Sequence, residues 1–201
     1  MSLDWRPILS LLFASVVIMG SPGPSTMSVT AVGAAYGFRH ALGYAVGLVA
    51  GTMVVLFAVA AGVVAVLLAI PHGASVLIGV SSLYILYLAV RIATAPPLAV
   101  ERNVLAAPAF GGGFLLAVAN PKAYFAIAAV FSGTTIVPEN HALDAIVKCA
   151  LLTVMIVLIH LCWLSAGASL SRLLQHPTSS RIINASLAAV LVITTALAIM
   201  G

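Results

Sequence analysis

The chain has 201 residues, of which 63% are apolar and 6% charged, against about 25% charged in an average soluble domain, and its mean hydropathy is +1.25. Too few polar side chains remain to cover a water-soluble fold of this size, which excludes a soluble enzyme, a disordered tail and a nucleic-acid-binding module. The net charge of +4 rests on only eight Lys and Arg, no phosphate-binding footprint, so the basic excess reads as topology information.

A membrane-crossing helix needs roughly 20 mostly apolar residues, and six of them use nearly all the apolar residues present. Punctuation by charge, proline and glycine sets the expected bounds. The first span covers about 7–35 and is interrupted by Ser21-Pro22-Gly23-Pro24. Residues 1–6 carry one acid and one base, without the positive start of a secretory signal, so this segment reads as retained. The second span covers about 41–70, up to Pro71-His72-Gly73, and the third about 74–90, up to Arg91. A polar, proline-rich linker, about 94–108, carries Glu101 and Arg102. The fourth span, about 111–132, contains Asn120-Pro121-Lys122; the fifth covers about 143–170 and the sixth about 182–200. The runs are long and continuous, unlike the alternating ten-residue strands of a barrel. Cys149 and Cys162 fall on one span, roughly 20 Å apart, beyond disulfide reach.

Loop charges orient the chain. Arg39, Arg91, Arg102, Arg172 and Arg181 fall on one side, Arg6 and Lys148 on the other with Asp4, Glu139 and Asp144. The basic side is predicted cytoplasmic, with both termini outside.

Two spans are broken. Residues 8–19 make a helix of about 18 Å, too short for a core of roughly 30 Å, before two prolines flanking a glycine stop it. The fourth span repeats the pattern at Asn120-Pro121-Lys122, about half a chain later. Each break lies in the first span of a three-span half, and an odd number of spans per half gives the halves opposite orientation. The expected fold is therefore a single all-α membrane domain, residues 1–201, of six transmembrane helices. It forms two inverted three-helix repeats, about 1–95 and about 109–201, with the first and fourth spans broken, as in secondary transporters. The plainer alternative is a pair of proline kinks.

Few polar groups lie inside the spans. Lys122 is costly there, by roughly 2.5–3.5 kcal/mol. It either draws a substrate carboxylate toward the helix start beside it, snorkels to an interface, or satisfies the carbonyls of its own broken helix. Asn120 is both a pathway residue and a natural N-cap. His160 either exchanges protons during transport or hydrogen-bonds a neighbouring helix as a neutral ring. Arg39 is a topology anchor or one half of a gating pair with Glu101. Gly43, Gly47 and Gly51, four residues apart, let another backbone approach closely; the expected partner is the broken first span, with Gly62 extending the face imperfectly. Such faces serve internal packing or a homo-oligomer equally. No H-E-x-x-H, C-x-x-C, P-loop, G-x-G-x-x-G or G-x-S-x-G occurs. No cofactor and no metal site are expected, since the five histidines are scattered.

On Ser21-Pro22-Gly23-Pro24, Gly37-Phe38-Arg39, the glycine ladder, Gly113 and Asn120-Pro121-Lys122-Ala123 followed by Tyr124 and Phe125, the chain resembles the LysE/RhtB family of amino-acid exporters over nearly its whole length. The resemblance implies a multi-pass protein of the bacterial inner membrane that exports amino acids on the proton gradient. It places Ser21, Pro22, Gly23, Pro24, Asn120, Pro121, Lys122 and Tyr124 along the substrate pathway. Many members of that family carry an acid inside the second or fifth span. Here the four acids read as loop or span-end residues, and His160 occupies the comparable stretch of the fifth. A basic side chain crossing the membrane wants a counter-charge, so a neutral or small zwitterionic cargo is expected. The competing readings are an intramembrane hydrolase using His160 and an exporter of metal cations.

Overall fold

The computed structural model describes residues 5–62, 73–94, 108–170 and 177–200. Asp4, Pro71-His72, Arg172 and most of the linker, with Glu101 and Arg102, lie outside the described residues, as does the side chain of Arg91. All regular structure among the described residues is helical. The elements are α1 (Trp5–Ala14), continued by a π-helical turn (Ser15–Met19), α2 (Pro24–Ala60), α3 (Gly73–Ala93), α4 (Phe110–Ala119), α5 (Pro121–Ser132), α6 (His141–Leu170) and α7 (Pro177–Met200). By length and composition α2 and residues His141–Ser169 of α6 can each cross a membrane, and the pair α4–α5, bent by 62° at Asn120, makes a third such candidate.

The local chemistry explains the boundaries. Gly20 closes the π-helical turn by donating to the Ser15 carbonyl at 3.0 Å. The chain then runs unwound to Gly23, the extended cap of α2, and Pro24 opens the helix, where a missing N–H costs nothing. α2 is broken again at Gly37, with φ 77° and ψ 164°, a conformation essentially reserved for glycine. The expected connection between first and second spans thus narrows to this one residue, dividing α2 into limbs 24–36 and 38–60. The second limb ends at Ala60 with Gly62 at φ 75°; the rest of the expected span, 63–70, lies outside the described residues. Gly62 therefore ends a helix rather than extending a packing face.

Two apolar clusters form the interior. One joins both limbs of α2 with α3, α4, α6 and α7 through Val32, Leu48, Leu88, Leu116, Leu164 and Leu191. The other joins α1, α2, α5 and α6 through Leu11, Val55, Leu56, Ile127, Leu152 and Ile156. Outside, large apolar side chains stand free, among them Phe13 at 72% exposure and Leu83 at 71%. A water-soluble monomer rarely leaves so much apolar surface bare.

The glycine ladder packs, but against a different partner from the one expected. A Cβ on Gly47 would strike the backbone carbonyl of Phe110, and one on Gly51 would lie 2.6 Å from the Phe114 carbonyl oxygen. From the other side, a Cβ on Gly113 would strike the Tyr44 carbonyl. The partner of the second limb is therefore α4 in the second half of the chain, not the broken first span. Gly43 faces open space. A comparable approach was not anticipated between the first limb and α6: Gly33 lies against Leu164, and Gly167 against the Thr30 carbonyl.

The contrast within the ladder is testable. Gly47→Ala is expected to destabilise the purified protein by about 1–3 kcal/mol through overpacking, and Gly43→Ala by a few tenths at most. Thermal unfolding in detergent checks this; equal melting temperatures for the two variants would refute the packing assignment.

Candidate functional site

The break between α1 and α2 exposes carbonyls whose helical donors are gone, because Pro22 and Pro24 have no N–H. Such groups must find partners when buried. Five carbonyls at the break do. Ile18 receives the Ser21 hydroxyl at 2.8 Å. Gly20 receives the indole N–H of Trp163, from α6, at 3.0 Å. Ser21 and Pro22 receive the Lys122 ammonium at 2.8 and 2.9 Å, and its third bond goes to the Ser21 hydroxyl at 2.8 Å. Gly23 receives the Met27 N–H at 2.8 Å and the Thr26 hydroxyl at 3.1 Å. The Thr26 oxygen also accepts the Gly23 N–H at 2.9 Å.

The second break answers the first. Asn120 is buried, 3% exposed, and caps α5 by accepting the Lys122 N–H at 3.1 Å, satisfying a donor the helix start would leave free. Its amide nitrogen donates to the Ser25 hydroxyl at 2.8 Å. Pro121 takes the first helical position of α5. Gly23 makes room for the lysine: a Cβ there would come within 2.6 Å of Lys122 Cδ. Thus Ser21, Pro22, Gly23, Pro24, Asn120, Pro121 and Lys122 meet in one place. Tyr124, half-buried, packs against the second apolar cluster instead.

Between the breaks, the second limb of α2 and α6 lies a cavity of about 40 Å³, lined by Ser25, Thr26, Thr52, Asn120, Lys122 and His160 with apolar neighbours. It has room for a few waters. His160 donates from Nδ1 to the Ile156 carbonyl at 2.8 Å, on its own helix rather than a neighbouring one. Arg39 stands exposed, and its proposed partner Glu101 lies outside the described residues.

Sequence reasoning missed three groups. Ser25, Thr26 and Thr52 carry no motif, although hydroxyls directly after a broken helix start are a usable signal. Trp163 was not singled out. Asp144 and Lys148, read as span-end and loop residues, are both buried within α6, 7% and 5% exposed. They pair at 2.7 Å. Asp144 also accepts the N–H groups of Ile136 and Val137 at 2.6 and 2.9 Å, and Lys148 donates to the Phe131 carbonyl at 3.0 Å. Asp144 stands in the first turn of α6, the span end expected for it, but buried, and Lys148, one turn on, belongs to the helix and not to a loop. This pair clasps the α5–α6 connection onto α6.

The model of the family described as "LysE type translocator" matches residues 16–201, nearly the whole chain. This chain belongs to the LysE family. Among its relatives are the cysteine/O-acetylserine efflux proteins of Salmonella typhimurium (strain LT2) and Salmonella choleraesuis (strain SC-B67). Each is 30% identical over 159 residues, covering 78% of this chain and 80% of the relative. No solved structure matches. A LysE family member is a membrane translocator and not an enzyme, which removes the hydrolase alternative.

The bridge between the breaks can be measured directly. Asn120→Ala and Ser25→Ala are each expected to cost about 1–2 kcal/mol. Because they share one bond, the double variant should cost less than the sum by at least about 0.5 kcal/mol. Strictly additive unfolding free energies would disprove the bond.

Proposed function

We propose that this LysE family translocator is a secondary exporter of small neutral amino acids, moving its cargo between the two helix breaks. The observation that carries this reading is the meeting of the breaks through Lys122–Ser21, Lys122–Pro22 and Asn120–Ser25, beside a polar-lined cavity. A hydrophilic cargo needs non-helical backbone and polar side chains inside the membrane, and these are tolerated only where protein or water covers them. In this reading the ties across the cavity part and re-form for passage, as alternating access requires.

The wider architecture in this reading is six spans in two inverted three-helix halves. Its support is the order of the helices and the placing of one break in the first span of each half. Lys122 and the starts of α2 and α5 draw the cargo's carboxylate. Among the described residues no carboxylate lines the cavity, and the buried Asp144 is already paired with Lys148, so a basic side chain finds no counter-charge there. The relatives are named for cysteine and O-acetylserine, whose side chains are small and uncharged near neutral pH, in agreement with that argument. The proton gradient of the bacterial inner membrane supplies the energy, with His160 as the cavity's proton-accepting group, and both termini lie outside.

Cells fed dipeptides and expressing this protein should release neutral amino acids such as cysteine, serine or threonine. Robust lysine release without any of these would overturn the substrate class. An uncoupler should stop release against a gradient; undiminished release would overturn proton drive. Pro121→Ala and Lys122→Ala should each abolish export at unchanged membrane levels. Normal export by both variants would sink the pathway between the breaks.

A further inference from the structure

Nε2 of His160 has no hydrogen-bond partner among the described residues, and the ring lines the cavity while only 5% exposed. The hydrogen bond on its other side fixes what that atom offers. A carbonyl oxygen only accepts, so at 2.8 Å from the Ile156 oxygen Nδ1 carries the hydrogen. The neutral ring therefore presents a bare lone pair at Nε2. Thr52, also in the lining, is in the same condition: its hydroxyl hydrogen goes to the Leu48 carbonyl at 2.7 Å, leaving oxygen lone pairs. The wall built by α6 and the second limb of α2 is thus a wall of acceptors. The breaks form the other wall, where α2 and α5 begin and Lys122 resides; helix starts and an ammonium make it electropositive. Ala126, Ile127, Ile156 and Ile159 complete the lining with apolar surface.

We infer that the acceptor wall binds the α-ammonium group of the cargo, with Nε2 of His160 as the recognising atom and the carboxylate turned toward the breaks. The inference rests on the amino-acid reading above and assigns the two ends of the zwitterion to two walls of the site. An ammonium N–H donating to a buried imidazole nitrogen makes a charge-assisted bond, stronger than a neutral one. A cargo lacking the ammonium leaves Nε2 buried and unpaired, the kind of mismatch by which polar sites reject analogues. Recognition itself involves no covalent step or proton transfer: Nε2 accepts the ammonium N–H while the ring is neutral and takes up a proton only when the cargo is absent, and the site fills as the breaks part.

The test uses the full-length protein in liposomes, reading counterflow of labelled L-serine against three unlabelled competitors. These are L-serine, L-alanine, which keeps the ammonium but lacks the hydroxyl, and 3-hydroxypropionate, which keeps carboxylate and hydroxyl but lacks the ammonium. Wild type should prefer L-serine over 3-hydroxypropionate by roughly 10- to 100-fold. His160→Leu should shrink that preference to within about threefold, mainly by weakening L-serine. His160→Gln, which can offer an amide oxygen in place of the lone pair, should retain most of it. An unchanged preference in His160→Leu overturns the inference. So does its loss in both variants while each stays folded and monodisperse, since the ring would then be structural. A His160→Leu effect confined to serine against alanine assigns Nε2 to the side chain and likewise overturns it. Absence of wild-type counterflow for serine, cysteine and O-acetylserine alike would instead sink amino-acid transport itself, an outcome distinct from any His160 result.

Discussion

An ammonium group bound to the carbonyls of a broken helix holds the centre of this molecule together. Proline chemistry makes the break between α1 and α2, and the same chemistry leaves oxygens without helical donors. Lys122 supplies three N–H groups from one atom to Ser21 and Pro22. The costs thereby offset each other: a lysine that would be expensive among apolar helices meets carbonyls that would be expensive unpaired. Neither break would be stable in this form without the other. Asn120 adds a second tie while capping its own helix, so the start of α5 and the start of α2 are fixed by one small network.

Around that network the helices approach by removing side chains. Apolar surface is no driving force between helices in lipid, and close backbone packing takes its place. Gly47, Gly51 and Gly113 bring α2 and α4 together, and Gly33 and Gly167 do the same for α2 and α6. α2 is thereby held against α4 on one limb and against α6, which lines the cavity, on the other, and Trp163 reaches from α6 to the Gly20 carbonyl. Large apolar residues fill the two interior clusters and also cover the exterior, which a soluble fold would make polar.

The breaks were legible in the sequence because their cause is local: Ser21-Pro22-Gly23-Pro24 and Asn120-Pro121-Lys122 cannot continue a helix whatever surrounds them. The turn at Gly37 was bracketed by the polar Gly37-Phe38-Arg39, although only the backbone angle shows that one residue suffices. Partnerships were less legible. Four-residue glycine spacing says that a backbone comes close, not which one, and the partner proved to be α4. Of the three fates open to Lys122, the carbonyls it meets belong to the other break, a tertiary fact with no local signature. Asp144 and Lys148 stand four residues apart, visible as a pair, but their burial depends on Ile136 and Val137 wrapping back over α6. Asp144 does stand at a span end, in the first turn of α6; reading its surroundings as open, and Lys148 as a loop charge, failed for that reason.

The ligands of Lys122 are oxygen dipoles, two carbonyls and a hydroxyl. Dipoles lower the self-energy of an ion, much as water does, but they cannot cancel its monopole. Past those three oxygens a full positive charge still acts, in surroundings of low dielectric where its potential decays slowly. The centre of the protein is thus an electrostatic well for anionic groups and a hill for sodium ions or guanidinium and ammonium side chains. The sign of what can come near is set before any contact is made, by a charge that the fold solvates without neutralising.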